Sequence, residues 1–135
     1  MTSILDENLQ VISVSELNLN ARNILESKCH NVAISGEISN FNHHSSGHMY
    51  FSLKDDDASI GCAMWKGVNA RLNFAPKNGD KCIVMGKVSL FTKRGDYQLI
   101  ANRIQLSGVG DLYRQFEELK KKLSFTPEPG AYHNN

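Results

Sequence analysis

Aromatic rings interleaved with cations are the side chains in this sequence best placed to do chemistry. In "SGHMYFSLKDDDASIGCAMW", residues 46 to 65, two runs of alternating apolar residues flank an acidic turn, and Tyr50 and Trp65 fall on the row that should face water. A flat exposed ring stacks a nucleobase while a nearby cation neutralises its phosphate, and stacking contributes roughly 1 to 3 kcal/mol per base without reading base identity. Tyr50 and Trp65 can supply rings, as can Phe41, Phe91 and Tyr97. Lys54, Arg71, Lys93 and Arg94 can supply charge, and His48 shares the outward row of Tyr50 and Lys54. The competing role for such rings is packing, under a terminal helix or against a partner protein, where Trp and Tyr also serve as anchors.

Other reactive side chains point to less. Asp55, Asp56 and Asp57 invite a metal or catalytic reading, but aspartate between two strands is a turn former, because its carboxylate accepts from nearby backbone N–H groups. His43, His44 and His48 lie in a polar loop without a supporting cysteine or carboxylate pattern, so no metal site is expected. Cys29, Cys62 and Cys82 are odd in number, far apart and set among apolar residues, which fits reduced thiols in a core. No nucleophile with a base and an orienting partner stands out, and no glycine motif that cradles phosphate. The chain reads as a binding module without catalytic residues, metal or cofactor of its own.

Size and charge are compatible with that role. At 135 residues, 41% hydrophobic and 21% charged, the chain suits one domain with a real core. Its net charge of +1 conceals a basic middle: residues 31 to 108 hold nine basic and six acidic side chains. No run is apolar enough to cross a bilayer and the start lacks the layout of a secretion signal, so no membrane association and a cytoplasmic location are expected.

The elements that must position the rings follow from periodicity. Residues 1 to 12 read as a loose start. Ser13 and Glu16 have capping-box spacing, and Val14, Leu17, Ala21, Ile24 and Leu25 recur at helical spacing, which predicts a helix over 13–30 with that face packed. From 31 to 108 the period falls to two and five strands are predicted: 31–39, where Gly36 signals a bend or bulge, 48–54, 58–66, 81–91 and 97–107. Met49, Phe51 and Leu53 point inward, as do Ile60, Cys62 and Met64, whereas the fifth strand alternates too poorly for its faces to be assigned. A helical connection over 67–74 and a turn at 76–80 separate the third and fourth strands. A second helix is predicted over 109–124, with the stripe Leu112, Phe116, Leu119 and Leu123, followed by a tail over 125–135. The fold class is mainly β: a five-stranded OB-type Greek-key barrel with an N-terminal and a C-terminal α-helix. Such barrels bind oligomers on strands 2 and 3, between the loop joining strands 1 and 2, here "NFNHHSSG" (40–47), and the loop joining strands 4 and 5, here "FTKRGD" (91–96).

Five motifs in order, "VSELN", "ISGEISNF", "SSGHMYFSLKDDDASIGCAMW", "SLFTKRGDYQLI" and "FEELKKKL", resemble the amino-terminal part of the large subunit of bacterial exodeoxyribonuclease VII, from about Val14 to Leu123. The resemblance implies a domain that binds single-stranded DNA, within an enzyme that degrades such DNA from either end to oligonucleotides. It also implies a small helical subunit as partner, bound by a longer part of the large subunit, and catalytic residues outside this chain. The sequence departs from the family's pattern at Met49, where tryptophan is frequent, at Trp65 for phenylalanine, at Gly61 for a basic residue and at Lys93 for proline; residues 126–135 do not resemble the family's continuation. Two alternatives stand beside this reading: a docking or self-association element, and an RNA-binding OB domain.

Overall fold

The computed structural model describes residues 8–108 and Lys120. Their order is α1 (Val14–Lys28), β1 (Val32–His43), β2 (Met49–Lys54), β3 (Ser59–Met64), α2 (Lys66–Asn69), β4 (Lys81–Phe91) and β5 (Asp96–Leu106). The five strands close into a barrel in the order β1-β2-β3-β5-β4, with β3 and β5 parallel and the other neighbours antiparallel. The barrel and the leading helix are as the sequence predicts. The expected C-terminal helix and tail lie outside the described residues, apart from Lys120, which is helical and exposed. Among the described residues no helix is long and apolar enough to cross a membrane.

Alternation builds the core. Met49, Phe51 and Leu53 of β2 point inward to meet Cys62 and Met64 of β3, Cys82, Val84 and Val88 of β4, and Leu99, Ala101, Ile104 and Leu106 of β5. Cys62 and Cys82 are buried, free thiols, and Cys29 packs at the core's edge. Burial, with Cys82 beside it, pushes the Cys62 thiol up to about 12, so it stays protonated and inert.

Two bulges bend the strands enough to close the ring. Opposite Met85 and Gly86, β5 carries Asn102 as an extra residue, since Met85 pairs with Arg103 and Gly86 with Ala101. The insertion shifts the inward phase from Leu99 and Ala101 to Ile104 and Leu106, which is why the sequence of β5 does not alternate cleanly. Gly86 makes the crossing possible: a Cβ there would collide with the Ile100 carbonyl oxygen and lie 2.9 Å from the Ala101 Cα. The second bulge sits between Ser39 and Asn42 of β1, where Asn40 adopts φ +52. It lies beyond Gly36, whose missing Cβ instead admits Leu53, with Cγ 2.8 Å from where that carbon would be.

The helix α1 docks differently from its sequence reading. Ser13 accepts from the Glu16 N–H at 3.0 Å, but the Glu16 carboxylate lies near the Ser13 hydroxyl at 3.5 Å and does not complete the reciprocal cap. Only Leu25 of the expected apolar stripe packs on the barrel; Val14, Leu17 and Ile24 are exposed, Val14 at 76%. The side turned to β4 is largely polar. Asn18 donates to the Thr92 carbonyl at 2.8 Å, Glu26 accepts from the Ser89 hydroxyl at 2.6 Å and lies 3.7 Å from Lys87, and Val88 N–H donates to the Cys29 carbonyl at 2.8 Å. These bonds orient the helix by giving Ser89, the Thr92 carbonyl and the Val88 N–H partners that burial under α1 would otherwise deny them.

Candidate nucleic-acid interface

Because β2 turns Met49, Phe51 and Leu53 inward, Tyr50 must point out, and it remains 37% exposed. Trp65 reaches the same face by another route. It is not on β3: the strand ends at Met64, and Trp65 stands at the N-cap of α2 in extended conformation, 39% exposed. The two rings meet edge to face at 6.3 Å. His48 packs against Trp65 at 5.2 Å and His44 against Tyr50 at 6.2 Å, both edge-on, giving a row of four rings in the order His44, Tyr50, Trp65, His48.

The row is held from behind. His48 Nδ1 accepts from the Lys66 N–H at 2.9 Å, and the Asn69 amide donates to the Gly47 and Met64 carbonyls at 2.8 and 3.2 Å. The β1–β2 connection is shorter than the expected 40–47, because β1 continues to His43. What remains is tight, with His44 N–H donating to the His48 carbonyl at 2.9 Å and Gly47 N–H to the His44 carbonyl at 2.8 Å.

The other expected site residues are spread over several elements. Phe91, Lys93 and Arg94 do lie together, at the end of β4 and in the 92–95 turn: the Arg94 guanidinium sits 5.8 Å from the Phe91 ring centre and 2.9 Å from the Asp96 carboxylate. Lys54 continues the outward row of Tyr50 toward the far end of β2, and exposed Arg71 follows α2 in the connection between β3 and β4. Phe41 does not join the site as expected. The β1 bulge turns it toward the core, where its ring lies 6.3 Å from that of Phe51.

Tyr97, 56% exposed, completes the face from β5. With Tyr50 it lines a groove of about 440 Å³, whose other walls and floor include Asn40, Ser52, Gly61 and Gln98. Sequence reasoning missed His44, Lys66, Asn40 and Gln98. Asn40, His44 and Lys66 stand near the strand 2–3 hairpin in sequence, whereas Gln98 reaches the groove only through the parallel pairing of β5 with Gly61 of β3.

The acidic turn is structural. Asp55 Oδ1 accepts from the N–H groups of Asp57 and Ala58, each at 2.8 Å, and these bonds hold the Asp55 carboxyl below its ordinary range. Among the described residues no group of three His, Cys, Asp or Glu side chains is placed to hold a metal ion. What the face offers is stacking surface; Lys66 follows Trp65 at one side, Arg94 is held by Asp96 at the rim of the groove, and Lys93 lines a different hollow, with Val14, Ser15, Asn18 and Leu19 of α1.

The family of OB-fold nucleic acid binding domains matches residues 12–105. The exodeoxyribonuclease 7 large subunit of Sodalis glossinidius (strain morsitans) is 47% identical over 114 residues, covering 84% of this chain and 25% of that protein. The exodeoxyribonuclease 7 large subunit of Nautilia profundicola is 49% identical over 113 residues, with the same coverage of each. The chain thus spans about a quarter of the length of these curated relatives. Among solved structures, the S. pombe Stn1–Ten1 complex superposes with a TM-score of 0.50 at 15% identity, over 77% of this chain and 78% of that one, a likeness of fold.

Proposed function

The chain belongs to the family of OB-fold nucleic acid binding domains, and from that premise we propose that its β2–β3 face binds single-stranded DNA on behalf of an exodeoxyribonuclease VII large subunit. The observation that carries the proposal is the row of edge-to-face rings, with Tyr50 and Trp65 kept exposed by the hydrogen bonds behind them. Tyr50, Trp65 and Tyr97 stack bases, Phe91 stacks with Arg94, and Lys54, His48, Arg71 and Lys93 meet the backbone as it leaves the face. Hydrolysis belongs to residues elsewhere in the longer protein. That part also contacts the small helical subunit, and the assembly works in the cytoplasm. Similarity to large subunits at 47% and 49% identity supports this wider reading.

The test uses the single tryptophan. Titration with a short oligothymidine should quench Trp65 fluorescence to saturation, and the affinity should fall as salt rises, with a log–log slope of about −0.7 per phosphate contacted. A flat titration in folded protein would sink the proposal. Competition with a matched RNA strand separates an RNA-binding domain. The exposed Val14, Leu17 and Ile24 of α1 favour a second, compatible reading, self-association through that helix. It requires a mass in light scattering that rises with concentration and that Ile24→Lys returns to monomer.

A further inference from the structure

We propose that the groove between Tyr50 and Tyr97 is a slot for one unpaired nucleobase, and that Gly61 is what keeps it open. The inference rests on the DNA-binding reading above and sharpens it. Ser52, Gly61 and Gln98 stand side by side on β2, β3 and β5, so the glycine occupies the middle of the outward row that crosses the groove. A Cβ on Gly61 would meet nothing within 4 Å, which means the space over it is unfilled by the protein. Two tyrosines line that space, and its volume of about 440 Å³ falls within the roughly 300 to 1,000 Å³ usual for small-molecule clefts.

The lining also selects which part of a nucleotide enters. It contains no Lys or Arg, and its one carboxylate, Asp96, is already paired with Arg94 at 2.9 Å, so nothing in the lining draws a phosphate in and a neutral base displaces no charge. Asn40, Ser52 and Gln98 present amide and hydroxyl groups that can donate to and accept from the edge of a base. The backbone phosphates then run outside the slot, toward the cations of the 92–95 turn and Lys66.

A Gly61→Val substitution separates folding from binding because the two should move in opposite directions. Valine suits a strand better than glycine and the site has room for its first carbon, so the melting temperature should hold or rise. Its branches fill the slot, so affinity for oligothymidine should drop about tenfold, the loss of one stacked base. On an abasic oligomer of equal length the variant and wild type should bind alike, since no base is present to exclude. Equal binding of oligothymidine by both proteins, or a deficit that persists on the abasic oligomer, overturns the slot while leaving the β2–β3 face intact. Failure of the wild type to bind oligothymidine overturns the face and the slot together. If Gly61→Val lowers the melting temperature, Gly61→Ala carries the same comparison with a smaller deficit.

Discussion

Beneath α1, Ser89 on the outer row of β4 is sealed: it is only 5% exposed, its hydroxyl is taken by Glu26, and Lys87 lies beside the same carboxylate. On the opposite side of the barrel, β2 and the start of α2 leave Tyr50 and Trp65 partly in water, with other rings packed against them. The first region meets most of its polar needs within the chain, with Arg22 Nε on α1 left buried and without a hydrogen-bond partner. The second uses the chain's hydrogen bonds to hold apolar rings where the chain does not cover them. Covering an outer face therefore takes a helix with matched polar groups, and leaving one open takes a fixed turn behind it. Of these two regions, the open face is the one whose rings have stacking surface left to give a ligand.

The comparison can be broken in graded steps. Gly86→Val should have the largest effect, because its Cβ overlaps the Ile100 carbonyl at the bulge that both regions depend on. A loss of about 4 kcal/mol or more is expected, read as absent cooperative unfolding in circular dichroism. Tyr50→Ala and Trp65→Ala should each weaken oligothymidine binding by about 1 to 3 kcal/mol in fluorescence anisotropy, with little change in thermal stability. A stability loss as large as the binding loss would make these rings packing residues. Ser89→Ala should do the reverse, costing about 1 kcal/mol in urea unfolding and leaving affinity unchanged.

Acid provides the smallest and finest step. The bond from Ser89, aided by Lys87 and Arg22, holds the Glu26 carboxyl below its usual 4.5 despite some desolvation. A depressed carboxyl stabilises the fold at pH above its unfolded value, and that contribution fades as pH falls through the folded one. Urea midpoints measured from pH 6 downward should therefore fall less steeply in Ser89→Ala than in wild type. Equal slopes would show that the Ser89 bond does not set the Glu26 titration.

Much of this was legible in the residues, and what was not has local causes. The bounds of β4 and the inward set of β2 follow directly from alternation, because no insertion interrupts either pattern before it declares itself. The faces of β5 were unreadable because Asn102 is looped out by a partner strand 17 residues earlier, which no window on β5 reveals. Phe41 falls in the loop 40–47 by sequence because the predicted first strand ends at 39, whereas β1 runs on through a bulge to His43 and turns that ring toward Phe51. In α1 the apolar stripe gave the helix correctly and its buried side wrongly, since Ser89 and Thr92 supply the contacts that orient it. Of the site, Tyr50 could be read from its strand. Trp65 could be read as exposed but not as the cap of a helix, and the ring partnership of His44 arises only once the turn closes over β2.

The barrel's parallel seam has a kinetic meaning. β3 and β5 meet in three rungs, Gly61 with Gln98, Cys62 with Leu99 and Ala63 with Ile100, each linking residues 37 apart. The β4–β5 ladder has ten. Few rungs bought with a long loop closure form late and part early, so amide deuteration should reach the seam before it reaches β4. The groove straddles that seam, and a strand lying in it would act as a clasp, slowing deuteration at Cys62 and Ile100 far more than in the rest of the sheet.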